Sequence, residues 1–524
     1  MRKIASISLI VLLTVFSLPT LASSVTATIN LVSSATVRPQ LTLLDQSFSP
    51  SQGGLPFCFS GALGSLICYT PSFYKSAYNF PSGLDGTGQT IVIVDAFGSP
   101  TLQSDLNKYS TTFGLPLTTI TVLCGPTWTG SASDTCPAFD PSLPIDQACG
   151  ATGWWSETNL DVAMSHGLAP GAHIVLVVSN DCQDTSFNAA EGAVVAQPQY
   201  HGAIMSQSFG EPDDLVGCLN FPCTIIDHSI KQTADKIYNE ARRNGWTVLA
   251  SSGDDGANEA LSAVGTPELT PSWPATSPLN IAAGGTQGNP YGGQYGAPPG
   301  RGLTNSCAAG ATCNTGIVVV NGGATGCSTA PRPGVPTSCF ATGYGGEATW
   351  NEFATFGVRT SSGGGVSFLY GRPSYQTNLP PKWATILGST VKGNGRLTPD
   401  ISFDSAAQGG FLSWIGFAGR WGVFSGTSAA SPALAAIVAL LNQAHGSPVG
   451  FLNAAIYQLG ASSSYSSDFH DVTVGENSDT AGQFGVDGFA AGTGYDLATG
   501  WGSPNVANFI TDLSAICTPA CPGP

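Results

Sequence analysis

Apolar runs of strand length alternate with stretches of helical pattern through the first half of this chain. Gln89–Asp95 reads QTIVIVD, a buried-strand pattern that ends on an acid, and residues 101–112 read as the next helix. Val175–Val178, Ala203–Ser208 and Trp246–Ser251 repeat the strand signal, with helical stretches at 185–196 and 228–243 between them. Strands alternating with helices predict βαβ units and a parallel sheet. In such folds catalytic groups gather beyond the carboxyl ends of the strands. Asp95, Ser208 and Ser251–Gly256 all fall at such ends. Ala433–Ala444 is a further apolar helical segment.

Two regions depart from this alternation. Residues 286–345 are rich in Gly, Pro and Asn, contain four cysteines, and read as a surface insertion with a small hairpin at Ile317–Asn321. Residues 23–67 are rich in Ser, Thr, Leu and Pro without clear periodicity, and read as a short propeptide or N-terminal extension. Before them, Arg2 and Lys3, the apolar run Leu9–Phe16 and the small-residue site Thr20-Leu21-Ala22 make residues 1–22 a secretory signal. The apolar run is short for a membrane span, which favours cleavage over a retained anchor. No later stretch reads as a span, so the expectation is a secreted, extracellular chain without stable membrane insertion. The expected division is then a signal at 1–22, an extension at 23–67, a main domain at 68–515 and a tail at 516–524.

Composition narrows the partners. The chain has 524 residues, with 17 Lys+Arg against 33 Asp+Glu and a formal net charge of −16. Phosphate binding needs a basic patch, so nucleic acid is not an expected partner. Charged residues make up 10% of the chain, against about 25% in ordinary domains. Such a surface has few ion pairs to lose in acid and suits acid tolerance, although any exported Gly/Ser-rich protein would share it. Fourteen cysteines in an exported chain suggest disulfides. Cys218 and Cys223, Cys307 and Cys313, Cys327 and Cys339, and Cys517 and Cys521 lie close in sequence and suit local loops, with the connectivity open.

The candidate chemistry starts at Ser425-Gly426-Thr427-Ser428-Ala429-Ala430-Ser431-Pro432. A small-residue turn there runs into the apolar helical segment. Ser428 would sit at a helix N-terminus, where free N–H groups and the positive dipole end favour a developing oxyanion. The plainer alternative is that Thr427 or Ser428 only caps the helix. A nucleophilic serine needs a base. Trp155–Met164 reads as a helix start with Ser156 as N-cap, and places Glu157 and Asp161 four apart on one face. On a solvated face such a pair is unremarkable. Buried beside a serine, two close carboxyls share a proton, and one can serve as a base in acid while the other holds it. Asp254, in Ser251-Ser252-Gly253-Asp254-Asp255-Gly256 after a strand, is either a turn former or a protonated donor to the oxyanion.

Taken in order, these motifs resemble the sedolisin family, the serine-carboxyl peptidases with a subtilisin-like fold. The resemblance covers about residues 68–515 outside the insertion. It rests on Tyr69-Thr70-Pro71 with Ala77-Tyr78-Asn79, Glu157 to Asp161 with Ala169-Pro170-Gly171-Ala172, and Ser252-Gly253-Asp254. Trp273-Pro274-Ala275-Thr276-Ser277-Pro278 with Gly284-Gly285-Thr286, Ser362-Gly363-Gly364-Gly365, Arg396 with Pro399-Asp400, and Ser425–Pro432 complete it. It implies an α/β subtilisin-like parallel sheet flanked by helices. It also implies Ser428 as nucleophile, Glu157 as general base, Asp161 orienting Glu157, and Asp254 as oxyanion donor. The reaction would be peptide-bond hydrolysis in proteins or peptides, as an endopeptidase with an acidic optimum, by a monomer. Asp471-Val472 and Gly492-Thr493-Gly494-Tyr495-Asp496 resemble the family's calcium loop. One structural calcium ion would take the carboxylates of Asp471 and Asp496 and the carbonyls of Val472, Gly492 and Gly494. The plainer alternative for that loop is an ordinary Asp/Gly turn cluster.

Three rivals remain. An ordinary subtilisin would need a histidine base, and none of His166, His173, His201, His228, His445 and His470 has a suitable context; Asp95 then reads as a strand-end residue lining the cleft. A catalytically inactive relative serving as a binding or surface protein has no need of all four key residues. A structural exported protein has no need of the ordered motifs. The family also carries a large N-terminal prodomain, where only about 45 residues separate signal from main domain here, so the activation route is open. The stretch around Ser208–Gly210 is a candidate edge for pairing with substrate backbone.

Overall fold

The computed structural model describes residues 36–44 and most of 68–523. The longer stretches outside the described residues are 125–135, 215–223, 261–268, 289–317, 321–340, 353–358, 380–384 and 479–487. The signal at 1–22, most of 45–67, most of the 286–345 insertion, and the cysteine pairs at 218/223, 307/313 and 327/339 therefore lie outside them.

Eight strands form the central sheet: β1 (Thr90–Ala96), β2 (Thr121–Cys124), β3 (His173–Ser179), β4 (Ile204–Gln207), β5 (Thr247–Ser251), β6 (Ile281–Gly288), β7 (Glu347–Thr349) and β8 (Ile401–Asp404). Their order is β2-β3-β1-β4-β5-β6-β7, with β8 also paired to β6. Every pairing is parallel except that of β6 with β7. The order reverses around β1, so its carboxyl end borders a crevice between oppositely running connections.

Helices α1 (Leu102–Phe113), α2 (Ala151–Leu168), α3 (Asp184–Val195), α4 (His228–Arg243) and α5 (Thr427–His445) cover the sheet. The alternation along the strands sorts them. Ile91, Ile93, Ile174 and Leu176 point to a core shared with α1, α2 and α5. Val92, Val94, Val175 and Val177 point the other way, to α3 and α4. A sheet covered on both faces is why these strands read as continuous apolar runs.

Two helix starts differ from the sequence reading. The second helix begins at Ala151 behind Gly150, so Ser156 lies inside it and its hydroxyl donates to the Thr152 carbonyl at 2.8 Å. The last begins at Thr427, ahead of the apolar run that suggested it, with Gly426 as its N-cap. Length and composition alone would let α5 cross a membrane, but it is packed inside the core. Val318–Val320 pairs with Ala341–Tyr344, a partner further along the insertion than a local hairpin would supply. The described disulfides are Cys124–Cys136, Cys149–Cys182 and Cys517–Cys521.

Two small sheets flank the crevice. Arg38–Pro39 pairs antiparallel with Phe209–Pro212, which pairs in turn with Ser272–Trp273. Thr42–Leu44 pairs antiparallel with Arg420–Ser425, the strand that runs into α5.

Candidate active site

Strand Arg420–Ser425 reaches α5 through Gly426, whose φ of 132° falls where glycine is favoured. A Cβ there would collide with the Gln40 carbonyl oxygen and stand 2.7 Å from Asp254 Oδ2. The turn therefore delivers Ser428, fully buried, to the first turn of the helix. Four residues on, Pro432 has no N–H to give the Ser428 carbonyl. The Ser208 hydroxyl takes that carbonyl instead, at 3.3 Å. In return the Ser428 hydroxyl donates to the Ser208 carbonyl, also at 3.3 Å. Ser208 follows β4, so the sheet and the helix position each other through these two serines.

Three carboxyls gather on the other side of Ser428. Glu157 and Asp161 project from α2, and Asp95 stands at the carboxyl end of β1; all three are completely buried. Burial raises Glu157 well above the usual carboxylate range, with Asp161 and Asp95 adding like-charge repulsion and the Ser428 hydroxyl opposing the rise. Burial and Asp95 raise Asp161 in the same sense. Asp95 is pushed up to about 7 by burial, opposed by the Thr158 hydroxyl. Within described residues neither Glu157 oxygen has a hydrogen bond of ordinary geometry, because the Ser428 hydroxyl is turned to Ser208. Such a cluster cannot ionise throughout; it holds protons in common.

Asp254 lies beyond β5. Its Oδ1 accepts from the Thr427 N–H at 2.8 Å and the Thr427 hydroxyl at 2.9 Å, while Oδ2 has no partner among the described residues. Burial raises Asp254 well above its ordinary value. The Ser428 N–H donates to the Gln40 carbonyl oxygen at 3.1 Å, and that oxygen and Asp254 Oδ2 both crowd the place a Cβ on Gly426 would take.

No imidazole enters this constellation. His166 meets the Pro116 carbonyl, His173 Thr121, His228 Asp214 and His445 Ser514. His470 stacks on Tyr344, and His201 is exposed.

The subtilase family profile matches residues 149–459. The chain belongs to the subtilase family. Kumamolisin of Bacillus sp. (strain MN-32) is 29% identical over 442 residues, 83% of this chain and 62% of the relative. Sedolisin of Pseudomonas sp. (strain 101) is 31% identical over 280 residues, 53% of this chain and 36% of the relative. A solved structure of Pseudomonas sedolisin, a serine-carboxyl proteinase complexed with two molecules of pseudo-iodotyrostatin, aligns with TM-score 0.61 and 24% identity. That alignment covers 86% of this chain and 99% of the other, and the subtilisin-like fold is shared. The resemblance to sedolisins carried by the ordered motifs thus holds for this subtilase, although it spans under two thirds of those two relatives' length.

The remaining expected residues lie apart, in the loop beyond α5. Asp471 accepts from the Tyr465 hydroxyl at 2.8 Å and from the Gly494 N–H at 3.1 and 3.2 Å. Asp496 accepts from the Gly492 N–H at 2.9 Å, the N–H groups of Ala498 and Thr499, and the Thr499 hydroxyl. All these donors are neutral, and burial pushes Asp496 up to about 7. With the carbonyls of Val472, Gly492 and Gly494 that the sequence motif would add, the two carboxylates would make an all-oxygen set of the kind hard cations take. Among the described residues no cluster of three or more His, Cys, Asp or Glu suggests another metal.

Sequence reasoning gave Asp95 only a place in the cleft lining and overlooked Gln40, Arg38, Glu259 and Ser272. Asp95 had a signal, since it ends the first strand of the sheet. The other four had none, because they meet only through tertiary packing.

Proposed function

We propose that this subtilase is an exported endopeptidase that hydrolyses peptide bonds in acid by acyl transfer to Ser428. The Ser428 hydroxyl turns from Ser208 to Glu157, gives up its proton and attacks the carbonyl carbon. Asp161 and Asp95 hold Glu157 and keep the shared charge low. The oxyanion takes hydrogen bonds from the Ser428 N–H and from protonated Asp254. Glu157 passes the proton to the departing amine, then activates the water that hydrolyses the ester. The observation that supports this most is the meeting of Ser428 with three buried carboxyls and no histidine. Glu157 must be ionised while Asp254 is neutral; burial keeps Asp254 protonated, and the acidic optimum is what the resemblance to the serine-carboxyl peptidases implies.

The cleft favours internal cleavage. Residues 36–40 extend along one side of the Ser428 N–H and 41–44 along the other, so backbone is held on both sides of the serine, as cleavage within a chain requires. The described disulfides suit an oxidising compartment outside the cell. Substrates are proteins and peptides, worked on by a single chain. One calcium ion would be held by Asp471, Asp496 and the carbonyls of Val472, Gly492 and Gly494, where it would neutralise a buried acid and brace the loop.

The test is digestion of a denatured protein at about pH 4 by the parent, Ser428→Ala and Glu157→Ala. Digestion into internal fragments by the parent alone supports the reading. Full turnover by Glu157→Ala, with folding checked by circular dichroism, would refute it.

A further inference from the structure

Ser208, which exchanges hydrogen bonds with Ser428, is the first residue after β4, and from there the chain leaves the central sheet. Phe209 and Gly210 pair with Pro39 and Arg38 of the segment lying in the groove, while Glu211 and Pro212 pair with Trp273 and Ser272. This short strand therefore presents one edge to the groove. Such an edge lends its backbone groups to whatever extended chain lies along it. Its register against Ser428 decides where that chain is placed. A strand outside the main sheet needs support from behind to keep that register.

Helix α4 supplies the support. Lys231 is buried there, and its Nζ donates to the Pro212 carbonyl at 2.7 Å and to the Asp213 carbonyl at 2.8 Å. The same Nζ forms an ion pair with Glu211 Oε1 at 3.0 Å. An ammonium carries three N–H groups, and three consecutive residues of the groove wall meet them. The Trp273 ring lies 5.1 Å from Nζ, so the cation also reaches the neighbouring strand. Two turns further along α4, the Tyr238 hydroxyl donates to Gln207 Oε1 at 3.1 Å, at the end of β4. Residues 231 and 238 share a helix face, so α4 holds both ends of 207–213 and leaves Ser208–Gly210 between. Among the described residues, Asp184 faces the Lys231–Glu211 pair from α3, and Glu191 stands beside Asp184. Burial and the Glu211 charge raise Asp184 well above its ordinary value, with Lys231 opposing, and burial pushes Glu191 up to about 8. Both are neutral in acid, which leaves Glu211 as the carboxylate that balances Lys231. Ala234, Tyr238 and Ala241 already pack α4 into the core, so the lysine is not what holds the helix in place.

We infer that Lys231 is a positioning residue for substrate: through Glu211 and the carbonyls of Pro212 and Asp213 it fixes Phe209–Pro212 as the rail along which substrate backbone is aligned with Ser428. This rests on the acyl-transfer reading above. Lys231 touches neither substrate nor reacting atoms. Its effect falls on the binding of chains long enough to lie along the rail. Arg38 and Pro39 meet the rail, while Gln40, the next residue, meets the Ser428 N–H, so a substrate reaches the rail only with the residues that precede the one held at the serine.

The test compares two peptides from a quenched-fluorescence library, both cut by the parent at the same bond. One carries four residues before that bond and the other a single residue. Lys231→Met should raise KM for the longer peptide on the order of tenfold, as one or two substrate backbone hydrogen bonds lose alignment. The kcat on both peptides and KM for the shorter one should stay near the parent's. Lys231→Met leaves Glu211 as an unpaired buried charge. Lys231→Met combined with Glu211→Gln leaves none, and carries the same comparison with the same expected split if the single variant does not fold. Circular dichroism and Tm report folding. A rise in KM on both peptides alike, a change confined to kcat, or no change overturns the proposal and leaves the peptidase reading standing. So does failure of both variants to fold, which would make Lys231 a requirement of the fold alone. A parent that cuts no peptide of the library and no denatured protein overturns the peptidase reading, and this proposal falls with it.

Discussion

The Thr427 N–H and hydroxyl both bind Asp254 Oδ1, at 2.8 and 2.9 Å, which leaves Oδ2 without a partner among the described residues, at the Gly426 turn that the Gln40 carbonyl oxygen also meets. Only a protonated Oδ2 can donate there, and burial raises Asp254 in the sense that keeps the proton. Asp254→Ala should lower kcat by about 10²–10³, the value of one oxyanion donor. Asp254→Asn donates at any pH, so its kcat profile should reach further toward neutrality than the parent's. Steady-state rates across pH on one peptide measure both.

Asp95 repels charge on both Glu157 and Asp161. Replacing it with Asn removes that repulsion and lets Glu157 ionise at lower pH. The acidic limb of the kcat profile should move down in pH, with KM little changed. A limb that stays in place, or moves up, would remove Asp95 from the shared-proton cluster.

Stability should decline from acid to neutral pH. Buried Asp95 and Glu352 are pushed up to about 7, and Glu191 to about 8. Between roughly pH 4, where these acids ionise when unfolded, and the raised values, the folded chain binds more protons than the unfolded one. Their contribution is present in full below that window and is lost as pH rises through it. Calorimetry on Ser428→Ala, which avoids self-digestion, should give a lower Tm near neutrality than in acid.

If a cation sits between Asp471 and Asp496, excess chelator should lower Tm and added calcium should restore it. Asp496→Ala should lower Tm and abolish the response to both. An unchanged Tm in chelator would leave the loop as the hydrogen-bonded turn described above.

Arg396 and Asp400 form a two-pronged ion pair with no exposure on either side, at 2.6 and 2.8 Å. Asp400 also accepts from the Ala282 N–H of β6 and the Tyr457 hydroxyl. Arg396→Met strands a buried carboxylate, and removing one partner of such a pair typically loses about 3–5 kcal/mol. Urea midpoints should report it.

The sheet was legible because β1, β3, β4 and β5 are buried on both faces and carry unbroken apolar runs. Glu157, Asp161, Asp254 and Ser428 were legible as motif members, each weak alone and strong in order. Their convergence was not, since it depends on a helix that starts at Ala151, where Gly150 and Ala151 carry no N-cap side chain. The leading segment was the deepest gap. Arg38-Pro39-Gln40 has no periodicity to read, and its partners Glu259 and Ser272 lie more than two hundred residues away.

The groove that residues 36–44 fill is lined by two strand edges, Phe209–Pro212 and Arg420–Ser425, which grip backbone rather than shape. A folded protein rarely offers so long a ribbon of straight, unpaired chain. On the proposed peptidase reading, which proteins are cut first would be decided by the substrates themselves: those that acid loosens soonest would thread in soonest, and compact ones would outlast them.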